Sequence, residues 1–291
     1  MGRSRTLMLT FVVFLLVSAA GVGNAAPRAD LSLPKGATPL EGGGYAQELK
    51  AETPEWYTPE LHSKVLRAGT RGVPVPEGAS AEYSSLAFTG IRPGAWILFP
   101  AGCTTNFVFG SEGSYHIGTA GHCTSVGDEV TLVALPGVLM NIGRTVKSYD
   151  NGIGEDFALI EIYPEMQQYV NPSMSYFAGP TGTADPAFGD VVVHSGHGLV
   201  IGTGGTPRAG VVTYTGEGDG GAAFGWDGEA MLGDSGSAVR NATGPAAGNL
   251  THLVVGTEYL PAFIAGTTAP YMEQLAGMSI ATASLVPDPL W

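Results

Sequence analysis

Three short segments combine residue types that can do chemistry together: Thr119-Ala120-Gly121-His122-Cys123, Asp156-Phe157-Ala158-Leu159-Ile160-Glu161-Ile162 and Gly233-Asp234-Ser235-Gly236-Ser237-Ala238-Val239. A serine hydroxyl is a weak nucleophile until an adjacent base takes its proton as it attacks. Imidazole suits that task because its unperturbed pKa lies near neutrality. A buried carboxylate then fixes the imidazole tautomer and stabilises the imidazolium that forms. The oxyanion that develops needs preorganised donors, usually backbone N–H groups. Ser235 stands between Gly233 and Gly236, so the backbone can turn tightly there and aim the N–H groups of Gly233 and Ser235 at one point. His122 as base, Asp156 as its orienter and Ser235 as nucleophile would together perform acyl transfer.

Groups this far apart in sequence need a scaffold that brings them together. Only 13% of the 291 residues are charged and 44% are hydrophobic, with 44 Gly and 20 Pro. That punctuation suits many short strands joined by turns. From about Ala95 the spacing predicts strands at Trp96–Phe99, Thr105–Phe109, Val130–Ala134, Val138–Tyr149 and Phe157–Ile162. A second set follows at Val191–His194, Gly210–Thr215, Ala222–Trp226, Gly236–Arg240 and Leu253–Thr257. The pattern is all-β, a sandwich or barrels, in two subdomains divided by the loop-like Tyr163–Ala187. Helical spacing is confined to Pro59–Ala68, with Leu61, Val65 and Leu66 on one face, and to Ala269–Met278, with Tyr271, Met272 and Leu275.

Arg3 and Arg5 precede an apolar run, Leu7–Ala20, and then the small residues Gly21-Val22-Gly23-Asn24-Ala25. This is the order of a secretory signal peptide. The apolar run makes about 21 Å of helix at ~1.5 Å per residue, short of the ~30 Å bilayer core. The expected organisation is a signal peptide at 1–25, a propeptide or N-terminal extension at 26–80 and a catalytic domain at 81–291. The extension holds Pro27, Pro34, Pro39, Pro54, Pro59, Pro74 and Pro76 together with Gly42-Gly43-Gly44. It reads equally as a segment wrapping the domain or as a linker, and trimming is expected after Ala25 and beside Arg67 or Arg71. Loss of residues 1–25 changes the net charge from −13 to −15, since Arg3 and Arg5 are its only charges. An acidic surface argues against nucleic-acid binding, which needs Lys and Arg for phosphates. Cys103 and Cys123 are the only cysteines and can pair in an exported chain, the alternative being two buried thiols.

The T-A-G-H-C, D-F-A-L-I-E-I and G-D-S-G-S-A-V segments resemble the signature regions of chymotrypsin-like serine proteases, in that family's chain order of His, Asp and Ser. The likeness runs from about Trp96 to Thr257, is strong only around the motifs, and in its spacing resembles the compact secreted bacterial members. The resemblance implies an all-β fold of two antiparallel six-stranded β-barrels with a short C-terminal helix. His122 and Asp156 would come from the first barrel and Ser235 from the second, meeting in the cleft between them. It further implies a Cys103–Cys123 disulfide beside the histidine, oxyanion-hole amides from Gly233 and Ser235, no cofactor and no metal. The expected substrates are proteins or peptides, and the expected state is a monomer, free of the membrane once the signal is removed. In the family the residue six before the nucleophile lies at the base of the specificity pocket. Here that is Glu229, which with Glu258 would favour Arg or Lys before the cut.

Two departures concern activation. The chain has no Ile-Val-Gly-Gly-type start whose new amino group could pair with Asp234, which leaves an Arg, a His or the extension to serve it. The disulfide that flanks the serine loop is absent, and Met231 stands there. Two other functions fit the same fold: a secreted binding or adhesion protein without catalysis, and an esterase using the same triad. The His194-Ser195-Gly196-His197 segment lacks the further ligands a metal site wants. Asp150-Asn151-Gly152 and Gly216-Glu217-Gly218-Asp219-Gly220 read as turns and not as calcium loops. Asn241-Ala242-Thr243 and Asn249-Leu250-Thr251 fit the glycosylation sequon.

Overall fold

A computed structural model describes residues 33–41, 43–77, 79, 90–174, 176–198, 206–217, 222–256 and 262–283. The expected signal peptide and Glu258 lie outside the described residues. The N-terminal part forms strands β1 (Ala37–Pro39) and β2 (Tyr45–Glu48), helix α1 (Pro59–Ala68) and the short strand β3 (Val73–Pro74). Strands β4 (Trp96–Phe99), β5 (Cys103–Thr104), β6 (Val108–Ser111), β7 (Ser114–Thr119), β8 (Glu129–Leu135), β9 (Val138–Asp150) and β10 (Asp156–Ile162) follow. Then come β11 (Val191–Gly196), β12 (Thr206–Glu217), β13 (Ala222–Asp227), β14 (Ala238–Asn241), β15 (Ala246–Asn249), β16 (His252–Val255), β17 (Phe263–Thr267) and helix α2 (Ala269–Ala276).

The strands form two antiparallel sheets, and each closes on itself. In the first the order is β5-β4-β8-β9-β10-β7-β6. The stretch from Cys103 to Ser111 pairs with β4 at its start and with β7 at its end. Across the join the Asn106 N–H donates to the Gly118 carbonyl at 2.8 Å. With β5 and β6 counted as one bent strand, the path is a six-stranded barrel. The second sheet repeats the device. Its β15 pairs with β14, its β16 pairs with β17, and the Thr251 N–H between them donates to the Ala265 carbonyl at 3.0 Å. That makes a second six-stranded barrel, with β1 and β2 added outside β16. Closure removes the exposed edges that open sheets must otherwise protect.

Each barrel has its own apolar interior. Ile97, Val108, Ile117, Leu132, Met140 and Ile160 fill the first, and Val192, Val212, Phe224, Trp226, Val239 and Ile264 the second. Helix α1 starts where expected: Pro59 fits the first turn, and the Thr58 hydroxyl caps it by accepting from the Leu61 N–H at 3.3 Å. Its Val65 is fully buried in a cluster with Trp96, Leu98, Val133 and Leu139 on the first barrel. Burial of a side chain that size is worth about 1.5–3 kcal/mol, which docks the helix on the first barrel. Helix α2 ends at Ala276, two residues before the expected Met278, because Gly277 takes a left-handed conformation at φ +70°. Lys147 on β9 donates to the Leu275 and Ala276 carbonyls at 3.0 and 2.7 Å, which satisfies the helix end.

Candidate active site

His122 lies in a single 3-10 turn, Gly121–Cys123, that leaves the end of β7. Gly121 is required there, because a Cβ would collide with the Tyr149 carbonyl. Asp156 opens β10 and is held on every side. Its Oδ1 accepts from the N–H groups of Gly121 and His122 at 2.5 and 3.2 Å, and its Oδ2 lies 2.6 Å from His122 Nδ1. Its backbone is pinned by the second barrel: Thr267 Oγ1 accepts from the Asp156 N–H at 3.1 Å, and Asn249 Nδ2 donates to the Asp156 carbonyl at 3.0 Å. Asn249 is thus buried in a structural role, although it fits the sequon.

Ser235 sits in the turn before β14, with Gly233 and Gly236 at φ +102° and +91°. Left-handed φ values favour glycine, and a Cβ at Gly236 would also collide with the Thr104 carbonyl and the Thr119 hydroxyl. Ser235 Oγ lies 2.7 Å from His122 Nε2 and 3.1 Å from the Thr251 carbonyl oxygen. Thr104 of the first barrel fixes the serine turn across the cleft. Its N–H donates to the Ser235 carbonyl and its hydroxyl to the Gly233 carbonyl, both at 2.8 Å. A Cys103–Cys123 disulfide joins the residue before Thr104 to the residue after His122. Ser235 and His122 are therefore positioned from the same few residues.

Burial disfavours the charged form of His122, but the charge and hydrogen bond of Asp156 outweigh it and raise the imidazole pKa above its ordinary value. Burial would likewise raise Asp156, yet its attraction and hydrogen bond to His122 bring its carboxyl below the usual range. His122 is thus an imidazole whose protonated form is stabilised by a neighbouring carboxylate that is held ionised.

The fold brings His122, Asp156, Ser235 and Gly233 into one cluster. Glu229 follows β13 with an exposed side chain, and its carbonyl oxygen lies 3.1 Å from His194 Nε2. Two residues not singled out from sequence also belong to the site. Arg208 on β12 pairs with Asp234 Oδ2, and His252 on β16 packs edge-on against the His122 ring, 5.7 Å between centroids, with its Nδ1 3.6 Å from Asp156 Oδ2. No local motif marks either one; only the barrel topology brings them in.

The N-terminal segment crosses the site. The Gly233 and Ser235 N–H groups both donate to the Leu49 carbonyl oxygen, at 2.5 and 3.3 Å. A cavity of about 700 Å³ lies alongside, lined by Glu48, Lys50, Ala51, Pro100, Ala101 and Leu232 among others.

No protein-family model matches the chain, and no curated protein matches it. Among solved structures the chain is similar to Thermobifida fusca protease A at 22% identity and a TM-score of 0.48, over 67% of this chain and 98% of that one. A chymotrypsin of Cellulomonas bogoriensis matches at 21% and 0.46, over 67% and 100%. A Nocardiopsis protease matches at 20% and 0.47, over 67% and 98%.

Proposed function

We propose that this chain is a secreted serine endopeptidase that hydrolyses peptide bonds through an acyl-enzyme. The observation that carries this reading is one alignment. Asp156 Oδ2, His122 and Ser235 Oγ form a chain of contacts at 2.6 and 2.7 Å, beside two amides that converge on one carbonyl oxygen. In such a site Ser235 Oγ attacks the substrate carbonyl while His122 Nε2 takes its proton. The Gly233 and Ser235 amides hold the oxyanion, and His122 returns the proton to the leaving amine. Water then enters by the same route in reverse and frees the acid. The site residues supply every group this sequence of steps needs, so the reading calls for no cofactor. Export is supported by the order of residues 1–25 and by the disulfide, which suits an oxidising compartment.

Two features bear on preference. Exposed Glu229 would favour Arg or Lys before the cut, and the buried apolar residues packed around Leu49, Trp226 and Leu250 among them, would favour an uncharged side chain. The test of the activity is labelling by a fluorophosphonate, with peptide and ester substrates assayed side by side. Ser235→Ala and His122→Ala should lower turnover by roughly 10⁶-fold and Asp156→Ala by roughly 10⁴-fold. Peptidase activity that survives Ser235→Ala would remove the assignment. Turnover of esters alone would move it to an esterase, and a triad that neither labels nor turns over would leave a binding protein.

A further inference from the structure

The segment that crosses the cleft is built like a bound substrate. Strand β2 runs antiparallel to β16, with Gln47 opposite Leu253 and Glu48 opposite His252. The Leu49 N–H continues the ladder by donating to the Thr251 carbonyl at 3.2 Å. The Leu49 carbonyl then enters the pair of amides that face the nucleophile. Two residues on, Ala51 exchanges both backbone hydrogen bonds with Gly102 of the first barrel, at 2.7 and 3.0 Å. The chain therefore enters along the second barrel, presents one carbonyl at Ser235, and leaves along the first. This is the course an extended peptide must follow if the Leu49–Lys50 bond is to be cut. Main-chain pairing of this kind supplies affinity, and the side-chain pockets supply selection.

The side chain at the cut is selected as well. Leu49 is only 3% exposed and belongs to the buried cluster of Trp226, Phe224, Leu250 and Ile264, with Ala230 and Leu253 packed against it. Lys50, on the other side of the bond, turns outward: its Nζ meets Glu48 at 2.8 Å and the His122 carbonyl at 3.1 Å.

We infer that Leu49–Lys50 is a self-processing site and that the socket which takes Leu49 selects a leucine-like apolar residue before the cut. The inference rests on the serine peptidase reading. In the step, Ser235 Oγ bonds to the Leu49 carbonyl carbon as His122 takes the hydroxyl proton. The C–N bond to Lys50 breaks as that proton passes to the Lys50 nitrogen. Water then hydrolyses the Leu49 ester, which restores the serine and leaves a Leu49 carboxylate and a new amino terminus at Lys50. Residues before the cut block the cleft until they leave. Those after it stay, because Val65 of α1 is part of the packing on the first barrel. Arg67, one of the trimming positions expected from sequence, lies within that helix, a conformation that a cleft reading extended chain does not accept.

The experiment uses the full chain and three variants: Ser235→Ala, Leu49→Asp and Leu49→Met. Each is followed by intact mass, N-terminal sequencing and fluorophosphonate labelling. The wild type and Leu49→Met should give an amino terminus at Lys50, and Ser235→Ala should stay joined at that bond. Leu49→Asp should slow the cut at least about tenfold, since a charge must enter an apolar socket. Synthetic peptides of residues 45–52 should be cleaved at least about tenfold faster with Leu than with Ala, Arg or Lys before the cut. An active, labelled protein that keeps the bond intact, or that begins at Ala26 or beyond Arg67 or Arg71 with the bond never cut, overturns the proposal and leaves the peptidase reading standing. Faster cleavage after Arg or Lys overturns the socket assignment in the same way. If neither the wild type nor Leu49→Asp, whose socket is emptied, accepts the probe, the peptidase reading itself falls.

Discussion

Arg208 and Asp234 form a buried ion pair beside Ser235. Asp234 Oδ1 also accepts from the Gly198 N–H, and Oδ2 from the Met231 N–H, each at 2.8 Å. The carboxylate next to Ser235 is thus locked by a side chain from β12. Arg208 is therefore an arginine partner of the kind expected for Asp234 where no Ile-Val-Gly-Gly start is present. Arg208→Met should destabilise the protein by about 3–5 kcal/mol, because it strands a buried charge. The double variant Arg208→Met/Asp234→Asn should recover part of that loss. Urea unfolding of the three proteins is the measurement, and a loss below about 1 kcal/mol in the single variant would show that the pair does not anchor the turn.

The pH dependence of kcat/KM follows from His122. The free enzyme needs the neutral imidazole, and Asp156 holds the protonated form by charge and hydrogen bond against the opposing effect of burial. The raised pKa puts the acid limb of the profile above the ordinary value of 6.5. Asp156→Asn removes the charge and leaves burial unopposed, so the limb should move to lower pH while the rate falls. A limb that stays in place in the variant would mean that another group governs it.

The disulfide should matter for both stability and rate. Cys103 and Cys123 are 20 residues apart, and a loop of that size gives roughly 3 kcal/mol by the chain-entropy account. The bridge also holds Thr104, whose N–H and hydroxyl fix the serine turn. The Cys103→Ala/Cys123→Ala variant should therefore lose activity at temperatures where it is still folded. Activity that follows the folded fraction alone would separate the bridge from the site.

How much of this was legible in the sequence depended on range. Helix α1 was readable to the residue, because Thr58, Pro59 and the Leu61–Val65 spacing are local signals. The strands Trp96–Phe99 and Val138–Tyr149 were readable from their bounding turn residues, and β9 runs one residue further, to Asp150. Strand β7 was not, since its Tyr115, His116 and Gly118 break the apolar pattern; Gly118 is there because a Cβ would collide with Asn106. Strands β15 and β17 are rich in Gly and Ala, which carry little strand signal. The proposed triad was legible because each member sits in a compact motif. Arg208 and His252 were not, since no local signal ties them to Asp234 and Asp156, the carboxylates they meet in the fold. The placement of Tyr45–Ala51 was the least legible feature, because short polar strands like β2 gain their order from the edge they join.

Stability at acid pH should be set largely by two histidines outside the catalytic chain of contacts. His194 and His197 are buried, and burial pushes both pKa values down to about 4 from 6.5. Beside them Arg208 adds to the effect, and for His194 the Asp234 charge partly offsets it. A lowered histidine pKa means that the unfolded chain binds more protons than the folded one between pH 4 and 6.5, so stability rises with pH across that window. Each group contributes up to roughly 3 kcal/mol, fully present above 6.5 and lost as the pH falls towards 4. Asp156, with its lowered pKa, adds a loss below its ordinary value near 3.8. His122 acts in the opposite sense: its contribution is full below 6.5 and disappears as the pH rises through its raised value. The sum is a stability maximum near neutrality. Urea unfolding of Ser235→Ala, which cannot digest itself, should therefore show a midpoint that falls steeply from pH 6.5 to pH 4. Replacing both histidines in that background, as His194→Gln/His197→Gln, should flatten the fall. An equal slope in both proteins would place the acid sensitivity in carboxylates elsewhere.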